Sequence, residues 1–152
     1  MNKRKIISII GKIILIEAVL MIPSLIIALV YGDGDAPAFL CTIIPFLVIG
    51  LLLSRIKQSE KRMSSRDGYF IVAAAWIVVS IIGALPLYIA GGFDSYIGAL
   101  FEIVSGFTTT GASVLTEPAD LGHGVLFWRS FTHWVGGMGV LVFVLMVMPM
   151  EN

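Results

Sequence analysis

A chain of 152 residues that is 58% hydrophobic and only 13% charged, with a mean hydropathy of +0.98, is no ordinary soluble domain and reads as an integral membrane protein. Its formal net charge of +0 leaves no basic footprint for nucleic acid. At about 20 residues per crossing the length holds roughly four spans, and the single cysteine, Cys41, excludes an intrachain disulfide and reads as a buried, inert thiol.

Met1 to Lys5 is basic and leads into an apolar run that is too long for a signal peptide and shows no small-residue cleavage site, so it is expected to stay as the first span. That span is predicted over 13–30, with Lys12 snorkelling at its start and Pro23 kinking it. Glu17 is its costly residue: an intramembrane carboxyl is a candidate functional group, but near the end of a span so placed it is expected to reach interfacial water. YGDGDAP, 31–37, is a tight turn with two aspartates, and 38–53 is a second span. Residues 54–66 carry Arg55, Lys57, Lys61, Arg62 and Arg66 against Glu60, and Asp67 and Gly68 open a third span over 69–90, ended by Pro86 and Gly91-Gly92. Asp94 or Ser95 then caps a helix that runs only to about Phe107, too short to cross. EPADLGHG, 117–124, is a surface loop, and 125–148 is a last span containing Arg129, His133, Gly136, Gly137 and Gly139, the glycines permitting close helix approach or a bend. Trp76, Trp128 and Trp134 read as interface or core aromatics, and Trp128, near the outer end of that span, fits an aromatic belt.

Charge sets the expected orientation. Lys3, Arg4, Lys5 and Lys12 precede the first span, and five more basic residues sit in the second loop, so every Lys and Arg except Arg129 lies on one side. The positive-inside rule makes that side, and the N-terminus, cytoplasmic. The segment after the third span then enters from outside.

That segment, FEIVSGFTTTGAS over 101–113, is no ordinary stretch of membrane helix. Three threonines are poor helix formers, and Gly111 lets the backbone turn its carbonyls in unusual directions. Non-helical backbone at membrane depth is tolerated only where protein buries it or where it lines a water-filled cavity. A polar external turn is one reading. The other is a re-entrant loop in which Thr108, Thr109, Thr110 and Gly111 replace an ion's hydration shell with backbone oxygens, below a short helix whose C-terminal dipole favours a cation. Glu102, about one turn into the short helix, and Arg129, about one turn into the last, sit at similar depth and form a possible intramembrane pair.

FEIVSGFTTTGASVL followed by LFWRSFTHWVGGMGVLVF, with SRDGYFIV at 65–72 before them, resembles the first pore repeat of the Trk/Ktr potassium-uptake family, and the resemblance extends over essentially the whole chain. It implies an all-α integral membrane, potassium-channel-like fold with two leading transmembrane helices over 1–54, a cytoplasmic basic loop over 55–67, and one helix, pore-loop, helix repeat over 68–152. Members carry four such repeats around one permeation path, so Thr108 to Gly111 would be one quarter of a filter, with potassium at the Thr109 and Thr110 carbonyls. In plant relatives a serine at the first-repeat glycine goes with sodium transport; Gly111 therefore favours potassium. The resemblance also implies a prokaryotic plasma membrane (the inner one in Gram-negative cells), a homodimeric membrane unit, a cytoplasmic nucleotide-binding regulatory partner, and no cofactor beyond the transported ion. With room for one repeat, the chain is expected to be a portion of a larger transporter. A non-transporting accessory subunit is the rival reading. A hydrolase using Ser105 or Ser113 with His123 or His133 lacks a G-x-S-x-G elbow, and a metal site on the two histidines lacks further ligands.

Overall fold

The computed structural model describes residues 3–56 and 65–147; Lys57, Glu60, Lys61 and Arg62 of the basic loop, and the closing residues 148–152, lie outside the described residues. Among the described residues every regular element is helical: α1 (Lys3–Leu20), α2 (Ile22–Tyr31), α3 (Ala36–Ser54), α4 (Ser65–Ile89), α5 (Tyr96–Phe107), a 3-10 turn (Pro118–Asp120) and α6 (His123–Val147). Among the described residues three stretches are long and apolar enough to cross a membrane: Lys3–Tyr31, which joins α1 and α2, Ala36–Ser54 and Arg66–Ile89. α5 has 12 residues, about 18 Å at 1.5 Å per residue, roughly half of what a bilayer core demands.

α1 begins well before residue 13, because its first turns have a surface to bury. Ile6, Ser8 and Gly11 face the end of α3, and Ser8 Oγ donates to the Ser54 carbonyl at 3.0 Å. A Cβ on Gly11 would strike Leu53, and one on Gly50 would strike Leu15 and the Gly11 carbonyl, so two glycines let the helices touch along their backbones. The helix breaks at Met21, just before Pro23, which occupies the first turn of α2 where a missing N–H costs nothing. The early start puts Glu17 at the middle of the Lys3–Tyr31 stretch and 3% exposed, packed inside the protein and not at the end of a span as expected. Cys41, expected to be buried, is exposed on α3.

Pro86 does not end the third span. It lies inside α4, which continues to Ile89. Proline removes the helical bond to the Ile82 carbonyl, and on either side of that carbonyl neighbouring helices donate to α4: Tyr96 Oη to the Ile81 carbonyl at 2.7 Å and Trp128 Nε1 to the Gly83 carbonyl at 2.9 Å. Trp128 is therefore fully buried in the core, not in an interfacial belt.

The aspartate turn between α2 and α3 is a fastening. Asp33 Oδ2 accepts the His123 N–H at 2.9 Å and faces the His123 ring, and Asp35 Oδ2 accepts the Val125 N–H at 3.1 Å. Carboxylates at a helix N-terminus satisfy its orphan donors and its dipole. The Tyr31 ring stacks on His123 with centroids 4.0 Å apart. The His123 backbone N–H, and then its ring, hold the Asp33 carboxyl below the usual carboxylate range. Through this turn the leading pair of helices sets where α6 begins.

Candidate functional site

α5 starts at a conventional cap: Ser95, with extended dihedrals, accepts the Gly98 N–H at 3.1 Å. It stops at Phe107 because the chain then folds back on the helix end. Thr108 N–H still donates to the Val104 carbonyl, but Thr109 N–H turns to Gly106 and Thr110 N–H to Ser105, each at 2.9 Å. This reversal requires left-handed dihedrals. Thr109 has φ 57° and Gly111 φ 76°, and Thr109 is the one non-glycine with positive φ among the described residues. For a β-branched side chain that is a strained position, of the kind that persists only where surrounding bonds hold it.

Those bonds come from one face of α5, on which Glu102, Ser105 and Gly106 follow each other at helical spacing. Ser105 Oγ donates to the Ala112 carbonyl at 2.6 Å, and Glu102 Oε1 accepts Ser113 Oγ at 2.6 Å and the Val114 N–H at 2.7 Å. Thr108 Oγ1 donates back to the Val104 carbonyl at 2.7 Å and lies 2.8 Å from Thr110 Oγ1. The N–H groups of Thr108 to Gly111 thus all bond to α5 carbonyls, whereas among the described residues nothing donates to the carbonyls of Thr108, Thr109, Thr110 or Gly111. These four residues are exposed on an open side of the chain.

The second carboxylate oxygen of Glu102 accepts Arg129 Nε at 2.6 Å, with Glu102 1% and the Arg129 side chain 18% exposed. The structure therefore brings the two charges together, and the acid links the arginine on α6 to the loop. Below Arg129, its carbonyl accepts Thr132 Oγ1 at 2.7 Å and contacts His133 Nδ1 at 3.1 Å, which makes His133 a packing residue. Glycines let α5 and α6 approach closely: a Cβ on Gly106 would overlap Thr132 Oγ1, and one on Gly136 would overlap the Phe107 carbonyl. Sequence reasoning treated Ser105 and Ser113 only as possible nucleophiles and missed their part in holding the loop. The spacing of Glu102, Ser105 and Gly106 on one helical face was the available signal. His123, weighed as a base or ligand, is occupied by Asp33, and no group of three metal-ligating side chains occurs among the described residues.

A short polar-faced helix ending in a strained threonine-glycine loop can be set against known proteins. Residues 36–151 match the family model TrkH, described as cation transport protein. The chain belongs to the TrkH cation transport family. It is 39% identical over 152 residues to the Trk system potassium uptake protein TrkH of Escherichia coli K12, covering 98% of this chain and 31% of that one. It is also 35% identical over 142 residues to TrkG of the same strain, covering 92% of this chain and 29% of that one. The crystal structure of the potassium transporter TrkH from Vibrio parahaemolyticus superposes with a TM-score of 0.91 at 35% identity, over 98% of this chain and 32% of the transporter. The chain thus spans about a third of the length of these TrkH relatives. TrkH membership makes it a multi-pass membrane protein of a transport family, not an enzyme.

Proposed function

We infer that Thr108 to Gly111 form one quarter of a potassium selectivity filter, within a transporter that takes up potassium across a prokaryotic membrane. The observation that carries this reading is the division of labour in the loop: its N–H groups bond back to α5, and its four carbonyls are left without donors on an exposed side. Oxygens so arranged can take the place of water around a dehydrated monovalent cation, with the Thr109 and Thr110 carbonyls as the direct ligands. The left-handed dihedrals at Thr109 and Gly111 support the same reading, because they turn successive peptide planes. The Glu102–Arg129 pair holds the returning strand at Ser113 and Val114 and fixes the loop's position relative to α6.

Orientation follows from charge: N-terminus in the cytoplasm, loop entered from outside. The remaining filter strands come from other repeats, the membrane unit is a homodimer, and a cytoplasmic nucleotide-binding subunit regulates it.

The test is a chimera in which this chain replaces the matching third of Escherichia coli TrkH, in cells lacking other potassium uptake. Growth at low potassium and potassium influx into washed cells are expected. A chimera that reaches the membrane, binds its partners and passes no potassium would instead support the accessory-subunit reading.

A further inference from the structure

Beside the end of α5, residues of α1, α4, α5 and α6 line a pocket of about 280 Å³ that is open on one side. Its wall includes Trp76, Phe107, Trp128 and Gly139, and among its described lining residues Glu17 alone can carry charge. Both carboxylate oxygens of Glu17 are buried without a hydrogen-bond partner. The indole N–H of Trp128 cannot serve them, because it already donates to the Gly83 carbonyl. Gly83 leaves the carboxylate its room: a Cβ there would lie 3.1 Å from Glu17 Oε1. A buried carboxyl with neither partner nor solvent is costly, and nothing in the transport reading uses it.

We propose that this cavity is a binding site for a small lipophilic amine, its apolar body against Trp76, Phe107 and Trp128 and its nitrogen on the Glu17 carboxyl, which turns from its place beside Gly83 into the cavity to meet it. An amine crosses lipid in its neutral form. On reaching the carboxyl, acid and base share one proton: either it stays on oxygen and bonds to nitrogen, or it passes to nitrogen and leaves an ammonium against a carboxylate. The complex is neutral in both cases, which removes the cost of a lone buried charge. Size fits as well, since a dry apolar cavity of ~150 Å³ holds a benzene ring. An occupant would press on Phe107, the residue after which the loop begins.

The experiment follows Trp76 and Trp128 fluorescence in the full chain, in a neutral maltoside micelle, with the exposed Trp134 replaced by phenylalanine to remove its background. 2-Phenylethylamine is titrated against its isostere 2-phenylethanol. Saturable amine binding is expected, about tenfold or more tighter than the alcohol, because a hydrogen bond to an ionised partner exceeds a neutral one by that order. Glu17→Gln is expected to bring the two affinities together. Gly139→Leu, whose added side chain starts 3.7 Å from the Trp76 ring, is expected to abolish binding of both. Equal affinities in the parent chain would overturn the assignment, since the carboxyl would then recognise nothing, and so would amine binding untouched by Gly139→Leu. These two readouts stand even where Glu17→Gln does not fold. None depends on ion transport, so failure here leaves the filter reading intact, and the converse holds.

Discussion

Arg129→Met removes the cation from a carboxylate that is 1% exposed and leaves Glu102 with two donors, Ser113 Oγ and the Val114 N–H, in place of three. Removing one partner of a buried ion pair costs about 3–5 kcal/mol. The two remaining donors, and Arg129's partial exposure of 18%, place the expected loss near the lower end of that range. Glu102→Gln keeps an oxygen for Ser113 and Val114 but turns an amide toward the guanidinium, for a comparable loss of about 2–3 kcal/mol. The double variant, Glu102→Gln with Arg129→Met, removes both charges and is expected to lose less than the sum, with a coupling of at least about 1.5 kcal/mol for two residues in direct contact. The assay is reversible unfolding in maltoside micelles titrated with sodium dodecyl sulfate, followed by circular dichroism and tryptophan fluorescence. Losses that add to within about 0.5 kcal/mol, the range found for independent sites, would refute the pair as the tie between loop and α6.

Three further outcomes are expected. Gly111→Ser meets no atom within 4 Å but must adopt φ 76°, a strain of roughly 1–2 kcal/mol; in the chimera it should lower the potassium-to-sodium permeability ratio, and an unchanged ratio counts against the filter assignment. Gly136→Val places a side chain on the Phe107 main chain, so a loss of at least about 3 kcal/mol is expected, read as failure of the chain to accumulate in membranes, while Gly137→Ala, whose Cβ would lie 3.8 Å from Thr109, should be tolerated. Asp33 has its carboxyl held below its unfolded value by His123, so its contribution is present above the unfolded pKa of about 3.9 and is lost as pH falls through the lower folded value; Asp33→Asn should flatten that acid limb of the unfolding profile, and an unchanged acid limb would count against the contact.

How much was legible in the sequence depended on whether the cause was local. The short helix could be read at both ends, because Ser95 caps it and the threonine run stops it, and both are nearest-neighbour effects. Depth counting along two helices was enough to bring Glu102 and Arg129 to one level. The start of α1 was not legible, since its first turns are held by Ser54 and Leu53, more than forty positions away. Trp128 was assigned to the interface for the same reason: its partner, the Gly83 carbonyl, lies on another helix, 45 positions earlier in the chain. Asp33 and Asp35 looked like turn residues, and nothing near them in the chain announces that they reach His123 and Val125.

The hairpin that carries Thr109 in its strained conformation closes its donors on itself, with Ser105, Gly106 and Glu102 as acceptors or anchors. Glu102 is itself tied to Arg129, which lies 27 positions later in the chain, so the anchor of this hairpin is complete only once α6 has been synthesised and has come to rest beside it.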